Sequence, residues 1–216
     1  MTDLVIDAST YRGTVAVLRD AEVIATAEGA MRGAQSDALM PAVVAALTEA
    51  GVKIGELDRV ICGSGPGSFT SLRIAAGIAK GIALGAGIPL FAVPSMGLTV
   101  ASSNAGSGKY LVTTDALRGE WYAGVYERSS SGDVIELRPF RVVATAALDG
   151  LAASEMATVM GEAAVGDRPH AAGCVHLLHH LEVSGPVDLE SWEPSYGRLA
   201  EAQVKWEAAH GRPIGA

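Results

Sequence analysis

The chain has 216 residues and carries 16 basic against 24 acidic side chains, a net charge of −8 that argues against a protein gripping phosphate backbones over a broad face of its own. Its length admits one domain or two small ones with a real core. The two cysteines, Cys62 and Cys174, lack CxxC spacing, which predicts reduced, buried thiols in a cytoplasmic protein rather than a disulfide or a zinc site.

The opening MTDLVIDAST places an acid where a secretory leader needs basic residues. Leu4, Val5 and Ile6 begin a strand leading into Asp7-Ala8-Ser9-Thr10. A second strand is expected over Thr14 to Leu18 and, after the Asp20-Ala21 turn, a third over Val23 to Ala27, so the three should form an antiparallel meander. A helix follows, capped by Ser36 and running to Ala50, with Leu39, Val43, Ala46 and Leu47 on one apolar stripe. Met40 and Val44 fall outside that stripe, which predicts a helix covered on a second side. Gly51 and Gly55 end it.

The stretch from Arg59 to Val93 organises the rest. Val60, Ile61 and Cys62 form a strand that breaks into Gly63, Gly65, Pro66 and Gly67, and a helical pattern then runs from Ser68 to about Leu84. Within it Gly77, Gly81 and Gly85 recur every four residues, each costing roughly 1 kcal/mol relative to Ala, and close packing of backbone against another element is the natural offset. The turn is no P-loop, because Gly67 is followed by Ser68-Phe69 and not by Lys then Ser or Thr. Nor is it a Rossmann turn, which needs Gly where Ser68 stands and an acid some twenty residues on. No Asp or Glu occurs between Asp58 and Asp115, which also removes carboxylates for a metal. Spacing alone leaves a glycine turn that lets a strand enter a helix. Lys80, the glycines and Pro89 argue against reading Ile74 to Val93 as a membrane span.

A fifth strand over Pro89 to Val93 and a helix capped by Ser95 complete an order of elements that is that of a ribonuclease H-like or actin-type ATPase half-domain. After the small residues Ser102 to Gly108, strands over Tyr110 to Thr114, Trp121 to Tyr126 and Val134 to Leu137 restart the pattern less fully. The fold class expected is α/β, with two ribonuclease H-like (actin-type ATPase, ASKHA) half-domains over 1–104 and 105–216, the second reduced. No periodicity places elements between Ala144 and Gly173. Ser195 to His210 reads as a last helix.

Asp7-Ala8-Ser9-Thr10, the GSGPGSFTSLRIAAGIAKGIALG stretch and Asp115-Ala116 followed by Gly119-Glu120-Trp121-Tyr122 stand in register, and in these the chain closely resembles the TsaB (YeaZ) family, whose members help make the threonylcarbamoyl modification of tRNA. The likeness covers residues 3 to about 126 and resumes at Pro194 to Arg198. Its most specific part is Gly65-Pro66-Gly67-Ser68-Phe69-Thr70 followed by Leu72-Arg73-Ile74. Gln35-Ser36 departs from it, since such sequences often carry a His there. In the TsaD paralogue a His-x-x-x-His pair on the helix after the fifth strand binds metal, whereas Ser95-Met96-Gly97-Leu98-Thr99-Val100-Ala101 has no histidine. The resemblance therefore implies a scaffold and activator with no catalytic residue, metal or cofactor of its own and no membrane contact. It would pair with a TsaD-like catalytic subunit and a TsaE-like ATPase, meet tRNA only indirectly, place any ATP or ADP at the complex interface, and form a homodimer when its partner is absent.

A self-standing weak ATPase or glycoprotease-like metallohydrolase using Asp7, Asp115 and His176 is the competing reading. Asp7 and Asp115 each follow a strand, as the phosphate-facing acids of actin-type ATPases do. With Ser9 and Thr10 they outline a candidate vestigial nucleotide cleft, against the alternative that both acids make turn hydrogen bonds. His176, His179 and His180 contain an i, i+4 pair that a helix would put on one face, and Glu182 is near. No carboxylate completes a metal triad convincingly, so a solvated patch is expected. The absence of a Gly-x-Ser-x-Gly elbow speaks against a peptidase. Arg198, Lys205 and Arg212 form the one candidate basic patch.

Taking 100° per residue along the long helix, the sheet-facing side should hold Ala75, Ile78 and Ile82, flanked by Ile74 and Ala79. The opposite side holds Arg73, Ala76, Gly77, Lys80 and Leu84, with Thr70 and Gly81 beside them. Two glycines and a Leu are unusual on a solvated stripe. Together with Met40 and Val44 these residues predict a helical bundle between two subunits, either two copies or one copy with a TsaD-like chain. The alternative is that Gly77 and Gly81 merely admit the first helix of the same half.

Overall fold

Alternation along the first strand sets the layers of the molecule. In the computed structural model, which describes residues 1–31, 38–164, 166–197 and 210, Leu4 and Ile6 of β1 (Thr2–Asp7) join one hydrophobic cluster and Val5 another, as in a strand covered on both faces. β1 pairs antiparallel with β2 (Arg12–Arg19), and β2 with β3 (Glu22–Ala30). Asp20 and Ala21 turn the chain between β2 and β3 at φ of 51° and 66°, the left-handed pair that a two-residue hairpin needs. The predicted meander is present.

β4 (Arg59–Gly63) and β5 (Leu90–Val93) add in parallel on the other side of β1, for the order β3-β2-β1-β4-β5. Parallel neighbours need crossovers, supplied by α1 (Leu39–Ala50) and α2 (Phe69–Ala86). α1 buries Leu39, Ala42, Val43, Ala46 and Leu47 and stops at Gly51, φ 63°. The expected Ser36 cap lies outside the described residues, as does Gln35.

α2 is long and apolar enough by composition to cross a membrane, yet it lies along the sheet. Its buried side is Leu72, Ala75, Ala76, Ala79, Ile82 and Ala83, while Ile74 and Ile78 are half-buried. The face is thus rotated from the one expected. Alanines let the helix axis come close to the sheet, and the bulkier isoleucines sit at the edge of the contact, where a pattern weighted by hydrophobicity alone does not put them.

α3 is Ser95–Ser102, and Ser95 is its first helical residue rather than its cap. Residues 95–101 are all buried between the two halves. The second sheet contains β6 (Gly108–Asp115), β7 (Glu120–Arg128), β8 (Val134–Ala144) and β9 (Thr158–Gly161) in the order β8-β7-β6-β9, with β9 parallel to β6 and reached through α4 (Leu148–Glu155). This repeats β3-β2-β1-β4. The fold class is α/β with two ribonuclease H-like halves, the second reduced. β8 outruns the expected Leu137, and Pro139 within it is tolerated because β8 is an edge strand.

After a 3-10 turn over Ala171–His176 and α5 (Leu178–Ser184), the chain returns to the first sheet. Val187 N–H donates to the Leu90 carbonyl and Ser195 N–H to the Ser64 carbonyl, each at 2.8 Å. Val187, Leu189 and Trp192 pack on the first cluster. Ser195, Tyr196 and Gly197 are not helical, so the last helix does not begin where expected. Most of its remainder, with Arg198, Lys205 and Arg212, lies outside the described residues.

One ion pair joins the parallel strands at the core edge. Arg59 donates from Nε to Asp3 Oδ1 and from a terminal nitrogen to Oδ2, both at 2.8 Å, with the side chains only 13% and 4% exposed. Phe91 faces the guanidinium at 5.3 Å. Cys62 and Cys174 are free and buried, and burial pushes the Cys174 thiol up to about 12.

A candidate docking face and the carboxylate beneath it

Among the described residues, a methyl group placed on Gly77, Gly81 or Gly85 would meet nothing within 4 Å. The glycines therefore do not admit α1, and among the described residues no element supplies the close packing that should offset their cost. Instead they floor an open groove of about 340 Å³, lined also by Met40, Ile54, Ile78 and Ile82. On the same two helices Leu84 is 75% exposed, Val44 52% and Met40 41%, exposed apolar side chains of the kind found at interaction sites. Thr70 and Arg73 are exposed and Lys80 half-buried. Ala76 corrects the expected face: at 6% exposure it belongs to the core side of α2.

Both cations on this face are held over rings of the same chain. The Arg73 guanidinium lies 5.4 Å from the Phe69 centroid and the Lys80 ammonium 5.8 Å from that of Trp192. The Tyr196 ring meets that of Phe69 at a centroid distance of 4.6 Å, tilted by 49°. The returning segment with Trp192 and Tyr196 thus borders the face, which sequence reasoning missed along with Ile54, Ile78 and Gly85. Gly85 had a signal as the third member of the four-residue series, and Tyr196 had one in the likeness that resumes at Pro194 to Arg198.

Beneath α2, Asp7 is fully buried. Its Oδ1 accepts the Ser9 N–H at 3.0 Å and the Ser9 hydroxyl at 2.9 Å, and its Oδ2 accepts the Ser95 hydroxyl at 2.5 Å. Burial pushes the carboxyl up from the usual range, against the pull of the Ser95 and Ser9 donors. Ser9 and Thr10 are buried too, and the Thr10 hydroxyl bonds to the Arg12 carbonyl. Asp115, exposed at the end of β6, accepts the Leu117 N–H at 2.7 Å. Both acids bond the backbone two residues on, the turn pattern weighed against a nucleotide cleft. Three donors of the chain itself thus engage the two Asp7 oxygens.

The histidines do not share one helix. His176 ends the 3-10 turn, Leu177 breaks the path at φ −122° and ψ 11°, and His179 and His180 belong to α5. Burial and the nearby Arg128 push His176 down from its usual range, and burial does the same for His180. His179 lies 3.9 Å from Glu182, both exposed. Among the described residues no group of three or more His, Cys, Asp and Glu side chains converges.

The family profile described as "TsaD: tRNA N6-adenosine threonylcarbamoyltransferase" matches residues 31–164. The tRNA threonylcarbamoyladenosine biosynthesis protein TsaB of Escherichia coli is 36% identical over 135 residues, 61% of this chain and 58% of that protein. TsaB of Bacillus subtilis is 35% identical over 127 residues, 59% and 56% of the two lengths. The matched stretch thus spans under two thirds of these relatives. YeaZ from Pseudomonas aeruginosa superposes with a TM-score of 0.72 at 26% identity, covering 90% of this chain and 99% of that one.

Proposed function

From the premise that this chain belongs to the TsaB (YeaZ) family, we propose that it is a scaffold and activator in the synthesis of threonylcarbamoyladenosine in tRNA. It docks in the cytoplasm onto a TsaD-like subunit, which transfers the threonylcarbamoyl group from its adenylate to the adenosine beside the anticodon. A TsaE-like ATPase completes the machinery. Without that partner two copies close the same face as a homodimer. Any ATP or ADP sits at the interface between subunits, and the tRNA is held by the partner.

The observation that carries this reading is the glycine-floored groove between α1 and α2. Three glycines cost the isolated helix about 3 kcal/mol relative to alanine, and among the described residues nothing approaches them. An incoming helix would supply the missing contact, because small residues let two backbones come close and bury Met40, Val44 and Leu84 together. Arg73 and Lys80, already oriented by Phe69 and Trp192, give polar register at the edge of such a contact.

Reconstitution tests the proposal. The purified chain alone should neither hydrolyse ATP appreciably nor modify tRNA, and modification should appear on adding TsaD-like and TsaE-like subunits. Robust activity of the lone chain would overturn the scaffold role. Tight filter binding of tRNA by the lone chain at physiological salt would overturn the division of labour, since a net charge of −8 offers few phosphate contacts.

A further inference from the structure

We propose that Asp7 is the positioning residue of the docking helix: acting through Ser95, it holds the glycine turn from which α2 starts. The purpose rests on the docking reading above. A buried carboxylate is uncommon unless its bonds do something, and scaffolding by the α1–α2 face does not itself use one.

The geometry is a chain of donors. Three hydrogens converge on the two Asp7 oxygens, from the Ser9 amide, the Ser9 hydroxyl and the Ser95 hydroxyl. That is the pattern an acceptor-only carboxylate satisfies. Having donated its one hydrogen to Asp7, the Ser95 oxygen accepts the Gly65 N–H at 3.0 Å. The Ser95 N–H in turn donates to the Gly65 carbonyl at 3.2 Å. Gly65 is clasped from both sides at φ 84°, a left-handed conformation that favours glycine.

A second route runs through Ser9. Its carbonyl accepts the Ser68 N–H at 2.8 Å, and the Ser68 carbonyl accepts the Leu72 N–H at 2.9 Å, which starts α2. The glycines fit around this network: a Cβ on Gly63 would strike the Asp7 carboxylate, and one on Gly67 the Ser9 carbonyl. Asp7 therefore reaches both the turn and the first bond of α2. Asparagine at position 7 breaks the logic although it keeps the shape, because its amide must face either the Ser9 donors or the Ser95 hydroxyl with a donor of its own.

Residue-resolved amide hydrogen exchange on the lone chain tests the pin without any partner. In Ser95→Ala the Gly65, Ser68 and Leu72 amides should exchange at least about tenfold faster, while those of Val15 and Val17 in β2 stay within about twofold. Affinity for the TsaD-like subunit should fall about tenfold. Ser95→Thr keeps the hydroxyl and should recover both readings, and Asp7→Asn should reproduce the local pattern of Ser95→Ala. Unchanged exchange at Gly65 overturns the proposal. So does equal acceleration in β2, or wholesale unfolding of both variants, because Asp7 would then stabilise the fold at large. Affinity unchanged in Ser95→Ala but lost in Gly81→Gln defeats the positioning role alone; affinity unchanged in both defeats the docking reading itself.

Discussion

Replacing Gly81 separates the needs of this chain from those of its partner. The residue lies inside α2 in ordinary helical conformation, and an added methyl meets nothing within 4 Å among the described residues. Gly81→Ala should therefore stabilise the lone chain by about 1 kcal/mol, the helix-propensity difference with no clash to subtract. For a chain of this size that corresponds to a melting temperature higher by about 2–4 °C. Gly77→Ala should act likewise. The same methyl stands where the incoming helix comes nearest, so association should weaken as stability rises. Gly81→Gln should keep the melting temperature and abolish association. Thermal melts and gel filtration, with and without the TsaD-like subunit, read both quantities. A lower melting temperature for Gly81→Ala would mean the glycine packs against something within the fold. Undiminished association of Gly81→Gln would mean the groove is not a docking face. Either result refutes the reasoning.

Asp3→Ala leaves the Arg59 guanidinium nearly buried beside Phe91 without its bidentate partner and should cost about 3–5 kcal/mol in urea unfolding. A loss below about 1 kcal/mol would show the pair screened as a surface bridge is. Two histidines contribute to the pH dependence. Burial lowers the folded-state pKa of His176 and His180 below the usual 6.5, so the unfolded chain takes up their protons first. Their contribution to stability is full above pH 6.5 and is lost as pH falls through the lowered values. His176→Gln with His180→Gln should flatten that limb of the melting curve, and an unchanged slope would assign it to other groups.

The first half was readable because each of its elements carries a local signal. The Asp20-Ala21 turn, the Leu39 stripe and the break at Gly63 to Gly67 each mark a boundary that does not depend on the rest of the chain. Between 144 and 173 such signals fade. β9 has four residues, Thr158–Gly161, and α4 buries only Leu148 and Ala152, too few for either period to emerge. The role of Ser95 was hidden for another reason. A serine after a proline at the start of a helical run reads as a cap, and only the three-dimensional approach of Asp7, 88 residues away, turns its hydroxyl inward. Ala76 was misplaced because a helical wheel fixes relative angles and leaves the absolute rotation to packing. The glycines of α2 were legible as an anomaly, an unexplained cost at a regular spacing.

A protease cutting among the small residues at 103–107 would not release two free bodies. The distal fragment would still run along Leu90 and Ser64, and Val187, Leu189 and Trp192 would still sit on the cluster beneath α2. The nicked halves should elute together until denaturant parts them. The first half produced alone would lose those backbone partners and uncover that apolar seat, in the same neighbourhood where Trp192 steadies Lys80. Covalent order and spatial order differ here, since the half that is made first is finished by a segment made near the end.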